Sequence, residues 1–168
     1  NIANITKVLH LTQEQIASGT VEVPKFRALF LDNELMDSGN VSTGRNKEFR
    51  ALIRNMKTVE DNDFEVPETL KDVLRYYQKY GFRWLKTLRH NGFGGILADD
   101  MGLGKTLQVI TFLLSEQEEG RKERSLIVCP ASLVFNWKNE FERFAPQLKP
   151  VVITGALNER ADLIAATK

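Results

Sequence analysis

The 168 residues are 42% hydrophobic and 27% charged, the composition of a globular chain with enough apolar side chains for one core. A net charge of +1 gives the whole chain no electrostatic footprint for nucleic acid, although a local basic face is compatible with a neutral total. The single cysteine, Cys129, excludes an internal disulfide and a cysteine-rich zinc site, and no stretch reaches the roughly 18–20 apolar residues of a membrane span.

Phe26, Leu29 and Phe30 mark a first helix entered through Pro24, with Ser38-Gly39-Asn40 as the break after it. Gly39 to Arg45 is polar and reads as a loose loop. Phe49, Leu52, Ile53 and Met56 fall at helical spacing, which predicts an amphipathic helix over 46–57. The acidic cluster from Glu60 to Glu65, followed by Pro67, reads as an exposed linker. Of 23 basic and 22 acidic residues, 8 and 10 lie in 1–66, leaving 15 and 12 for 67–168. That shift divides the chain into a mostly helical segment, 1–66, and a second region, 67–168.

Beyond the linker, Leu70, Val73, Leu74 and Tyr77 mark one helical face, and Phe82, Trp84, Leu85 and Leu88 mark another. Apolar runs at 94–98, 125–129 and 151–153 read as strands, with helices expected over 105–117, along Leu133, Trp137, Phe141 and Phe144, and over 158–166. Strands alternating with helices predict an α/β fold whose parallel sheet is flanked by helices. Cys129 sits in the second of these runs and reads as a small buried hydrophobe. Glu116 to Arg124 reads as a solvated charged turn, and neither His10 nor His90 has a partner pattern.

Between the first apolar run and the helix after it stands Asp99-Asp100-Met101-Gly102-Leu103-Gly104-Lys105-Thr106. Strand, glycine-rich turn, Lys-Thr and helix form the layout of a phosphate-binding loop, with backbone N–H groups and a helix N-terminus turned toward a polyphosphate. In that layout Lys105 reaches the outer phosphates and Thr106 holds a magnesium ion. The match is incomplete, because the glycine expected at the loop's first position is Asp99.

Three separated segments carry a resemblance: Leu74 to Leu85, Leu97 to Gln108, and Leu126 to Trp137 with Glu140-Phe141 and Phe144. Together they resemble the Swi/Snf family of helicase-like, DNA-translocating ATPases, most closely its bacterial members, over roughly residues 67–155. The resemblance implies that 67–168 is the N-terminal part of a first RecA-like lobe, with 1–66 an accessory segment before it. Aspartate stands in that family where the general consensus has glycine, so Asp99 ceases to be a defect; Asp100, where glutamate is commoner, is a small departure. Gln78 matches the glutamine that reads adenine, a task suited to a side-chain amide that both donates and accepts. ATP and Mg2+ are the implied cofactors, with Asp99 to Thr106 as the phosphate cradle and Lys105 and Thr106 in the catalytic roles. Pro130 and Ser132 match a motif that touches the DNA backbone, and Trp137 reads as core. Gln108 faces either the site or only the surface, and the aromatic residues Tyr76, Tyr77, Phe82 and Trp84 read mostly as packing.

The implied activity is ATP-driven movement on double-stranded DNA, with other proteins of a larger complex as further expected partners and no membrane association. The family's Asp-Glu acidic pair does not occur after Val128; Glu159 and Asp162 fall on an expected surface helix. With the acidic motif and the arginine-bearing second lobe absent, the expectation is a chain that binds ATP and does not hydrolyse it. A P-loop phosphotransferase or a non-enzymatic module with an incomplete nucleotide site are the alternatives, with an RNA helicase as a nearer competitor. The start at Asn1, with no charged signal-peptide region, gives the further expectation of a cytoplasmic fragment of something longer.

Overall fold

The computed structural model describes residues 2–36, 44–57 and 63–167. The expected break at Ser38-Gly39-Asn40, most of the loop after it, and the first three residues of the acidic cluster, Glu60, Asp61 and Asn62, lie outside the described residues.

Among the described residues, four α-helices precede the linker: α1 (Ile2–Val8), α2 (Gln13–Ser18), α3 (Ala28–Met36) and α4 (Lys47–Lys57). A reciprocal cap starts α2, with the Gln15 N–H donating to Thr12 Oγ1 and the Thr12 N–H donating to Gln15 Oε1. The amphipathic spacing of α4 is realised, with Ile53 buried and Phe49, Leu52 and Met56 half-buried. Asp32 of α3, only 4% exposed, ties α3 to its neighbour through Lys57 at 2.8 Å and Arg45 at 3.1 Å. A buried carboxylate needs such partners, because desolvation without them is prohibitive.

Four more helices follow: α5 (Tyr76–Asn91), α6 (Lys105–Glu118), α7 (Val134–Phe144) and α8 (Leu157–Ala166). The expected face Leu70, Val73, Leu74 and Tyr77 is broken up: Leu70 ends a short 3-10 helix at Glu68–Leu70, Val73 and Leu74 lie in the turn after it, and Tyr77 is in the first turn of α5. Leu70 and Leu74 still reach the core, beside Val66, Phe82, Ile110, Leu114, Phe141 and Ala145. Full burial of one such side chain stabilises the fold by about 1.5–3 kcal/mol. Phe82 and Ile110, both fully buried, sit where α5 meets α6, and Phe141 brings in α7. Trp137, half-buried, packs on this core with its ring 6.2 Å from that of Phe141.

The expected parallel sheet is not formed, and the α/β fold class is corrected accordingly. Among the described residues there is no strand, and no backbone hydrogen bond joins 94–98, 125–129 and 151–153 to one another. Ile96, Leu126 and Val128 are 87%, 80% and 86% exposed, where a doubly covered parallel sheet would bury them. Exposure alternates along 125–129, with Ile127 and Cys129 half-buried and Leu126 and Val128 open. The period-two pattern therefore reports which face meets the helices, while the ladder that defines a strand depends on a neighbour the pattern does not encode. No helix among the described residues is long and apolar enough to cross a membrane.

Candidate functional site

The segment from Asp99 to Gly104 lies in an irregular turn that ends as α6 begins at Lys105. Gly102 and Gly104 adopt left-handed φ values of +86° and +76°, which a side chain would strain. Nothing approaches within 4 Å of where a Cβ of Gly102 would stand, so the loop is open there. At Gly104 the same position falls 2.4 Å from Gln78 Nε2, so a side chain there would also displace the Gln78 amide. The first bond of α6 runs from the Gln108 N–H to Gly104 O, and Gly104 offers no side chain to cap the N–H groups before it. The N–H groups of Lys105, Thr106 and Leu107 are left without a helical acceptor, which is the geometry that receives an anion.

Lys105 Nζ donates to the backbone carbonyls of Asp99, at 2.7 Å, and of Asp100, at 2.8 Å. It is folded back over its own loop. Met101 is almost fully exposed, Asp100 is exposed, and Leu103 and Thr106 are half-buried. Gln78 comes from the first turn of α5 and is only 6% exposed. Its Oε1 accepts from the Arg75 N–H at 2.9 Å, which caps the helix, and its Nε2 donates to Leu103 O at 3.0 Å. An amide carries two hydrogens and two acceptor directions, so one of each remains.

Gln108 faces neither the loop's open side nor the surface. It is fully buried, its Nε2 donates to Asp99 Oδ2 at 3.0 Å, and its Oε1 has no partner. Above it passes Gly81, whose added Cβ would fall 1.8 Å from that oxygen. Gly81 was missed in the sequence, where a glycine inside a helical pattern is itself the signal of close approach. Six residues thus converge: Gln78, Asp99, Leu103, Gly104, Lys105 and Gln108. Pro130 and Ser132 stand apart, exposed in the turn before α7, and share no hydrogen bond with the loop. Glu159 caps α8, accepting from the Ala156 N–H at 2.8 Å, and Asp162 is exposed. Among the described residues no cluster of histidine, cysteine and carboxylates is able to hold a metal.

At the far end of the same helix pair, Lys86 is 3% exposed and donates to Glu116 Oε1 at 2.6 Å and to Glu119 Oε2 at 2.7 Å. Arg121 adds a 2.7 Å bond to Glu116 Oε2. Burial pushes the Glu116 carboxyl up, but its bonds to Lys86 and Arg121 outweigh that and hold it below the usual carboxylate range. The Arg121 guanidinium is held above its ordinary value, chiefly by its bond to Glu116 and then by Glu123. An open groove lies elsewhere, between 125–129, 150–153, α7 and α8, and none of its lining comes from the loop.

A family model described as the SNF2-related domain matches residues 77–167, and one described as bacterial SNF2 helicase associated matches residues 1–67. The chain is 41% identical over 140 residues to a Bacillus subtilis protein named putative ATP-dependent helicase/translocase YwqA, covering 80% of this chain and 15% of that one. A Mycoplasma pneumoniae protein named uncharacterized ATP-dependent helicase is 46% identical over 117 residues, covering 66% and 11%. The TATA-binding protein-associated factor MOT1 of Saccharomyces cerevisiae is 40% identical over 131 residues, covering 71% and 7%. The chain therefore spans 15% or less of the length of these relatives.

Proposed function

The chain belongs to the SNF2-related, or Swi/Snf, family, and on that premise we propose that it is the opening, ATP-binding part of a translocase acting on double-stranded DNA. What carries the reading is the convergence of Gln78 and Lys105 on one glycine-bearing loop at an uncapped helix start. Bound ATP would supply the phosphoanhydride whose cleavage drives movement. The chain's own part is to bind and orient. Lys105 moves from the carbonyls of Asp99 and Asp100 to the outer phosphates, and the first N–H groups of α6 take the remaining phosphate oxygens. Thr106 offers its hydroxyl to Mg2+, and the free hydrogen and lone pair of the Gln78 amide read the adenine edge. Pro130 and Ser132, exposed before α7, meet the DNA backbone. Residues 67–168 form the beginning of the nucleotide-binding lobe, and 1–66 are an accessory segment ahead of it.

The chain holds nucleotide without turning it over, since no acidic pair follows Val128 to orient water. Titrating Mg·ATP while following the amide resonances of Gly102, Gly104 and Lys105 tests the binding. Shifts confined to the loop and the start of α6 are expected; none at millimolar nucleotide would replace this reading with an interaction module. Sustained DNA-stimulated phosphate release, abolished by Lys105→Ala, would overturn the claim of binding without turnover.

A further inference from the structure

We propose that Gln108 is a positioning residue for the phosphate loop, holding Asp99, and through it Lys105, from a buried crossing of α6 against Gly81 of α5. Its consequence for ligand binding rests on the nucleotide reading above.

Gln108 is fully buried, and its carbonyl oxygen has no partner. A leucine would fill similar space without burying an unpaired acceptor, so packing alone does not account for an amide here. What the amide does is donate to Asp99 Oδ2 at 3.0 Å. Asp99 is thereby a two-ended link, because its backbone carbonyl accepts from Lys105 Nζ at 2.7 Å. With the carboxylate held by Gln108 and the carbonyl by Lys105, Asp99 couples the buried amide directly to the lysine of the loop.

Gly81 completes the arrangement. It lies one turn beyond Gln78 on the same face of α5, and only a glycine allows α5 to pass over the Gln108 oxygen. One helix face therefore makes both contacts: Gln78 onto Gly104 and Leu103, and Gly81 onto Gln108. The adenine-facing and phosphate-facing groups are registered to each other through a single buried amide.

The experiment uses the 168-residue chain with Gln108→Glu, Asp99→Ala and the double variant Gln108→Glu with Asp99→Asn. In Gln108→Glu a second carboxylate faces Asp99 and the link breaks; in the double variant donor and acceptor are exchanged and the link returns. Amide hydrogen exchange at Leu103, whose N–H bonds to Asp100 O, measured without nucleotide, is expected to rise about tenfold in the first two variants while Ile110 and Leu114 stay protected. The ratio of Mg·ATP to adenosine affinity is expected to fall about tenfold in both, because the loop is displaced while the adenine side is kept. The double variant should recover most of each effect, which a loss of packing would not. Unchanged exchange at the loop, or a double variant no better than Gln108→Glu, overturns the proposal. Should Gln108→Glu lose protection throughout α6, Asp99→Ala decides, since Asp99 is only half-buried. A wild-type chain that binds no Mg·ATP defeats the nucleotide reading instead, and the exchange measurements still judge the anchoring.

Discussion

The two ends of the α5–α6 pair are held by different physics. At the end near the loop, two neutral amides and two glycines make the contacts, and one carbonyl is left unpaired. At the far end, Lys86 sits between Glu116 and Glu119 and 5.6 Å from the Phe64 ring, with Arg121 closing the set. Neutral amides can exchange partners at modest cost, whereas a buried ammonium stripped of its carboxylate cannot. The charged end is the fixed point from which the loop end is hung.

Lys86→Met should break this contrast hardest. It leaves Glu116 buried without its main cation and is expected to cost about 3–5 kcal/mol, read from the urea midpoint. If the charged end is the fixed point, Mg·ATP binding should weaken only as far as the fold does. Gly81→Ala acts at the other end, driving a methyl into Gln108. An overpacking loss of about 1–3 kcal/mol is expected by the same measurement. Here the Leu103 amide, bonded to Asp100 O, should lose hydrogen-exchange protection before Leu114 does. Glu116→Gln gives the smallest effect and sharpens the comparison through pH. The Glu116 carboxyl titrates below its ordinary value in the folded chain, so its stabilisation is present above the unfolded value, about 4.5. It is lost as pH falls through the lower, folded value. The variant should therefore show a shallower fall in stability below about pH 4.5 than the parent chain.

Most helices could be read in advance because their apolar spacing coincides with burial, as at Ile53 in α4 and Phe141 in α7. The loop was legible too, since Gly-Lys-Thr before an apolar helical run constrains local geometry. Two things were not. The runs around Ile96 and Val128 are continuous apolar stretches of the kind a buried strand carries, but pairing is a property of neighbours, and none of the described residues forms a ladder with them. Gln108 could be referred only to the site or the surface, because a polar residue in an amphipathic helix gives no sign of being buried. Its place depends on Gly81, twenty-seven positions earlier, and on Asp99, and only the folded chain brings the three together.

The attitude of Lys105 sets the thermodynamic terms for any anion that arrives. Its ammonium already rests on two carbonyl dipoles of its own loop, so an incoming oxygen enters as a competitor. The gain from this residue is the difference between a charged acceptor and two neutral ones. Monovalent anions, with little to offer over those dipoles, are poor rivals, and a polyphosphate with several charges has the advantage. If the loop takes a polyphosphate as proposed, selectivity for highly charged ligands begins with the resting state of the lysine.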